Sequence, residues 1–168
     1  MISYLPPVPL PSGTILGELS NIMWWEETKN YGSQPGLESV EALLELFASP
    51  QNKYKSIHVT GTNGKGSTSA MTASILRASG YSVGLFTSPH LSSWTESIVV
   101  DGEEITEEEM GKVLGKIRAK VGELESLGVR HPTHFEVLVA ACFLYFNERG
   151  VDYAVIEMGM GGRDEATI

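Results

Sequence analysis

Ser56-Ile57-His58-Val59-Thr60-Gly61-Thr62-Asn63-Gly64-Lys65-Gly66-Ser67 is the stretch that decides the fold. It opens short and β-branched, turns on three glycines, and runs into a small-residue segment from about Lys65 to Ser79. That segment stops at Gly80, which suits a helix C-terminus. Ser82-Val83-Gly84-Leu85-Phe86 follows as a second strand of the same kind. Strand, glycine loop, helix, strand predicts a βαβ unit, hence a parallel sheet with a right-handed crossover.

The glycine loop is also the strongest chemical signal. Such a turn at the head of a helix leaves backbone N–H groups pointing at an anion, and the helix dipole adds positive potential. Gly61, Gly64 and Gly66 supply backbone freedom and clearance, while Lys65 supplies a mobile positive charge for a phosphoryl group. Ser67 or Thr68 offers a hydroxyl. The common pattern G-x-x-x-x-G-K-[ST] is not met to the letter, since Val59 replaces its first glycine and Gly66 follows the lysine. The alternative is a helix N-terminus with permissive glycines and no ligand.

Outward from the loop, Pro6, Pro7, Pro9 and Pro11 read as an extended arm. Ile15, Leu16, Leu19, Ile22 and Met23 follow at helical spacing, with Trp24 and Trp25 covering a helix seam. Asn30 to Gly36 reads as a loop, and Leu37 to Phe47 as a helix with Val40, Leu43, Leu44 and Phe47 on one face. Ser97 to Ile105 reads as a hairpin turning on Asp101-Gly102. Capping boxes at Thr106/Glu109 and Thr133/Glu136 start two more helices, the second carrying the apolar run Val137 to Phe146. Val151 to Glu157 reads as a buried strand, followed by a compact turn on Gly159, Gly161 and Gly162. The fold expected is three-layer α/β on a mostly parallel sheet carrying the phosphate loop.

Glu157 ends that strand on the edge where parallel sheets bind ligands, two strands from the phosphate loop. Beside a triphosphate its carboxylate would hold Mg²⁺; alone it would be a solvated acid. Thr87-Ser88-Pro89-His90-Leu91 opens on the same edge; by themselves these read as turn residues, although Ser88 could give Mg²⁺ an oxygen. His58 reads as a core or edge residue and Cys142 as a small buried hydrophobe. The acids Glu103, Glu104 and Glu107 to Glu109 read as a helix-start cluster and not a metal site. Glu136 is first of all a capping residue.

Composition narrows the classes. Twelve Lys and Arg against 21 Asp and Glu in 168 residues give a net charge of -9, with a pI near 4.9 and a mean hydropathy of -0.04. Such a chain has no broad electrostatic footprint for nucleic acid or an anionic membrane, so an anion must be bound by a local device. One cysteine excludes an intrachain disulfide framework and a Cys-rich zinc site, and suits a reducing cytoplasm. The start MISYLPPVPLPSG lacks a basic region and is broken by prolines, unlike a signal peptide. The run Val137 to Phe146 is too short for a bilayer core of about 30 Å.

Gly61-Thr62-Asn63-Gly64-Lys65-Gly66-Ser67 with Thr87-Ser88-Pro89-His90-Leu91 resembles the folylpolyglutamate synthase / dihydrofolate synthase family of the Mur-ligase superfamily. Pro35-Gly36-Leu37-Glu38, Thr133-His134-Phe135-Glu136 and Glu157-Met158-Gly159-Met160-Gly161-Gly162-Arg163 extend the match in the family's order. The resemblance implies an ATP-dependent ligase that passes a phosphoryl group to a folate or dihydropteroate carboxylate and joins L-glutamate to the acyl phosphate. It implies that the loop, Gly61, Thr62, Asn63, Gly64, Lys65, Gly66 and Ser67, holds ATP, with Lys65 and Glu157 catalytic. Ser88 and Glu157 would be Mg²⁺ ligands. Pterin contacts would fall at Ser33, Gln34 and Pro35, at Thr133, His134, Phe135 and Glu136, and at Asp164, Glu165 and Ala166. Partners would be small molecules only, in a cytoplasmic enzyme that is monomeric at full length. Where the family usually reads Leu-Asp-Ala-Thr-Asn, this chain reads Asp164-Glu165-Ala166-Thr167-Ile168. By the same resemblance residues 1–168 are the N-terminal part of the ATP-binding domain, without the later histidine ligand, modified lysine and glutamate-binding domain, and inactive alone. The alternatives are another Mur-type amide ligase acting on a cell-wall precursor, and a non-catalytic phosphate-loop nucleotide-binding module.

Overall fold

The computed structural model describes residues 13–32 and 37–158. The Pro-rich arm, Ser33, Gln34, Pro35, and the stretch from Gly159 through Asp164, Glu165 and Ala166 lie outside the described residues. Ten main elements run in the order α1 (Gly13–Glu27), α2 (Glu38–Glu45), β1 (Lys55–Val59), α3 (Lys65–Ala78), β2 (Val83–Phe86), β3 (Ile98–Val100), β4 (Glu103–Glu104), α4 (Glu107–Ser126), α5 (His134–Arg149) and β5 (Tyr153–Glu157). Short 3₁₀ turns add Thr28–Tyr31, Pro50–Asn52 and Trp94–Ser97.

The sheet order is β1-β5-β2-β3-β4, with β5 parallel to both β1 and β2. Strands β1 and β2 of the expected βαβ unit are therefore parallel but not neighbours, because β5 inserts between them. The other two pairings, β2 with β3 and β3 with β4, are antiparallel, so the sheet is mixed. Asp101 and Gly102 take positive φ at the hairpin tip, as the Asp-Gly turn requires. Asp101 accepts hydrogen bonds from the Val83 N–H and the Ser82 hydroxyl, tying the hairpin to the start of β2. Ser97, expected to open the hairpin, belongs instead to the 3₁₀ turn before it.

Alternation along β2 and β5 builds three layers. Val83 and Val155 pack with Ala73 on the α3 side, joined by Val59, Leu76 and Leu85. Phe86, Ala154 and Ile156 belong to the main core with α5, α4 and α2. Every residue of α5 from Glu136 to Phe146 is buried, which explains its all-round apolarity. Phe146 lies so close over β2 that a Cβ on Gly84 would meet its ring at 2.8 Å. Helix α4 keeps Met110, Val113, Leu114, Ile117, Val121 and Leu124 inward and meets α1 at two glycines. A Cβ on Gly111 would stand 2.6 Å from Glu18 Cβ and 2.8 Å from its Cα, and one on Gly115 2.7 Å from Asn21 Nδ2. Cys142 is fully buried among apolar neighbours, as read, and burial pushes its thiol up.

Candidate functional site

Register decides the layout of the site. Val59, the last residue of β1, pairs with Glu157, the last of β5, and Phe86, the last of β2, pairs with Ile156. Three strand ends thus stop on one edge, and each feeds a segment singled out in the sequence. Glu157 is one strand from the phosphate loop and not two, because β5 lies directly beside β1.

Gly64 is the residue before α3 and sits at φ +73°, a left-handed conformation that glycine adopts without the Cβ penalty. No side chain caps this helix, so the N–H groups of its first turn are left for a ligand. Lys65 is the first helical residue and is half-buried. Its Cγ would lie 3.9 Å from a Cβ placed on Gly61, so its stem folds back along the loop. A Cβ on Gly66 would stand 3.7 Å from Glu157 Oε2. The carboxylate therefore faces the first turn of α3.

Glu157 is 8% exposed, and no hydrogen bond or ion pair satisfies it among the described residues. Its oxygens are not among the described buried atoms that lack a partner, so they stay open to solvent and to a cation. Among the described residues no group of three or more His, Cys, Asp or Glu gathers around it. The donors offered are hard oxygens and few, which fits a Mg²⁺ that takes its remaining ligands from phosphate and water. Ser88 follows β2 on the same edge and is half-buried, in a segment with a cis Ser88–Pro89 peptide; His90 is exposed.

The N-terminus of α5 reaches this edge through Phe135, whose ring centroid lies 6.3 Å from that of Phe86. Here the sequence singled out the helix start but not the partners of its residues. Thr133 and Glu136 form the expected capping box. Arg130, not singled out in the sequence, clasps Glu136 with Nη1 at 2.8 Å and Nη2 at 2.7 Å, while the Thr133 N–H donates to Oε2 at 2.7 Å. Burial opposes the charge, but these donors outweigh it and hold the Glu136 carboxyl below its ordinary value. With both oxygens engaged, Glu136 orients the helix start.

His134 stacks on Trp25 at 4.3 Å with the rings 8° apart, and Trp25 Nε1 donates to the His134 carbonyl at 3.0 Å. Its Nδ1 lies 3.1 Å from the Trp25 carbonyl and 3.2 Å from Thr28 Oγ1. Burial pulls the His134 pKa down against that carbonyl contact. Tyr31 stacks on His131 at 4.3 Å and extends the aromatic wall. Trp25 does cover a helix seam, as read, and also supports a candidate substrate residue. His58 is exposed on the edge strand β1, apart from the loop beyond Val59.

Fold and edge together define an α/β protein whose glycine-rich loop heads a helix beside a buried acidic strand end. No family model matches the sequence. The dihydrofolate synthase/folylpolyglutamate synthase of Bacillus subtilis is 39% identical over 145 residues, 86% of this chain and 34% of that protein. The crystal structure of Thermotoga maritima folylpolyglutamate synthase superimposes with a TM-score of 0.81 at 40% identity, over 91% of this chain and 35% of that one. The Mycobacterium tuberculosis folylpolyglutamate synthase complexed with ADP gives 0.81 at 35% identity, over 92% and 34%. Over most of its length the chain is similar to folylpolyglutamate synthase/dihydrofolate synthase proteins, and it spans about a third of the length of these relatives.

Proposed function

We propose that this chain forms part of the ATP-binding domain of a ligase that joins L-glutamate to a folate or dihydropteroate carboxylate. The observation that carries the reading is the Glu157 carboxylate at the strand end, facing the uncapped first turn of α3, where Lys65 stands. The loop from Gly61 to Ser67 holds the ATP phosphates through backbone N–H groups and Lys65. Ser88 and Glu157 hold Mg²⁺, which when bound neutralises charge on the β- and γ-phosphates. Lys65 follows the γ-phosphoryl group as it passes to the substrate carboxylate; the glutamate amine attacks the acyl phosphate, and phosphate leaves. Thr133, His134 and Phe135 face the pterin, with Ser33, Gln34, Pro35, Asp164, Glu165 and Ala166 as further contacts, while Glu136 fixes the helix that presents them.

The reading takes the complete enzyme to be a cytoplasmic monomer. The unpaired, buried Cys142 suits a reducing compartment, and among the described residues no helix is long and apolar enough to cross a membrane. The test is glutamate-dependent phosphate release from ATP with a pterin acceptor, using the complete polypeptide that carries these residues. Lys65→Ala should lower turnover by about a hundredfold or more while leaving the fold intact. A near-normal rate at saturating ATP removes Lys65 from the mechanism, and no release from the wild type removes the ligase reading.

A further inference from the structure

The segment that carries Ser88 is held at both ends by one 3₁₀ turn. At its start the Thr87 N–H donates to the Ser97 carbonyl at 3.1 Å, and the Thr87 hydroxyl to the Glu96 carbonyl at 3.5 Å. At its end a single carboxylate gathers three consecutive backbone donors. Leu91 N–H reaches Glu96 Oε2 at 2.9 Å, and Ser92 and Ser93 N–H each reach Oε1 at 3.1 Å. Ser88, Pro89 and His90 form the tip between these anchors. The turn is itself fixed: Ser93 and Glu96 make a capping box, Thr95 Oγ1 donates to Glu104 at 2.7 Å, and Trp94 meets Trp25 edge to face at 5.7 Å. The three donors, that of Leu91 foremost, hold the Glu96 carboxyl below its ordinary value, so at neutral pH the clamp carries its charge.

We propose that Glu96 is a positioning residue for metal binding, clamping the backbone after the tip so that the Ser88 hydroxyl is presented to the cation bound beside Glu157. The inference rests on the reading of Ser88 as a Mg²⁺ ligand. Glu96 touches neither metal nor nucleotide; it removes freedom that the tip would otherwise lose on binding, as groups behind a metal ligand commonly do. Gln at this position keeps the shape but offers one acceptor oxygen and turns an NH₂ toward backbone donors.

Two measurements on Glu96→Gln and Glu96→Ala in the complete polypeptide test this. Amide exchange at Leu91, Ser92 and Ser93 should quicken by about tenfold or more while the core strands keep their protection. The Mg²⁺ concentration for half-maximal phosphate release should rise by about tenfold. ADP binding in EDTA should stay as in the wild type, since the phosphate loop is untouched, and the rate at saturating Mg²⁺ should recover. A general folding defect would instead weaken ADP binding and quicken exchange in the core strands as well. Unchanged exchange at the three amides overturns the clamp; faster exchange with an unmoved Mg²⁺ midpoint overturns its role in metal binding. A wild type indifferent to Mg²⁺ overturns the proposed function and the metal half of this inference, while exchange still decides the clamp.

Discussion

Glu157 and Glu136 are both buried glutamates near the same sheet edge, and their surroundings give them opposite uses. Glu136 has Arg130 on both oxygens and a backbone N–H besides, so its charge is spent on structure. Glu157 has no such partner among the described residues and faces the phosphate loop. Glu157→Gln should therefore preserve shape yet weaken metal binding, with a defect partly relieved by raising Mg²⁺ or Mn²⁺. Metal titration of turnover checks this; a defect indifferent to metal and tracking pH instead would point to a general base. At this scale the sequence singled out Lys65, Glu157 and Glu136. It did not name Arg130 or Glu96. Ser93-Trp94-Thr95-Glu96 does spell the S-x-x-E of a capping box, but the β-branched run after it draws the eye to a strand. Nothing around Arg130 marks it as the partner of an acid in the next turn.

Among the elements, α4 and β2 show what close approach demands. Alanine normally stabilises a helix over glycine by about 1 kcal/mol, yet Gly111→Ala would drive a methyl into the backbone of Glu18 at 2.8 Å. Gly111→Ala should destabilise the protein by about 1–3 kcal/mol, as overpacking does. Gly122→Ala, in the same helix with nothing within 4 Å of its Cβ, should be neutral or stabilising by up to about 1 kcal/mol. Urea midpoints of the two variants separate packing from propensity, and equal effects would remove the close α1–α4 approach as the cause. The helix was legible from its capping box and apolar stripe. The glycines were not, because a glycine that admits a neighbour is identical in sequence to one that admits water.

At the scale of the whole molecule, acid should weaken the fold in two stages. His134 has a folded pKa below its ordinary 6.5, so the folded state disfavours its protonation. The unfolded chain binds the extra proton first, and stability is lost from about pH 6.5 downward until the folded pKa is passed. Glu96, Glu109 and Glu136 are held below their ordinary 4.5, so their contribution is intact above that value and lost as pH falls through their lowered folded values. Urea midpoints taken from pH 7.5 to 3.5 should show both declines. His134→Gln should abolish the first and spare the second; a first decline that survives the substitution assigns it to another group.

The sequence by itself determined the elements and the chemistry of the loop. Period-two and period-3.6 apolar patterns, two capping-box helix starts, one glycine stop and the run from Gly61 to Ser67 are local, and local backbone physics reads them directly. Tertiary structure alone decided that β5, last in the chain, slips between β1 and β2 and brings Glu157 one strand from the loop. It decided as well that Arg130 closes on Glu136, Trp25 on His134, and Glu96 on the Ser88 segment. Strand order and the pairing of Trp25 with His134 are long-range choices settled by how the buried faces pack together, and residues about a hundred positions apart leave no mark on each other's local sequence. Arg130 and Glu96 lie within six residues of their partners, but only the folded loop brings donor and carboxylate together.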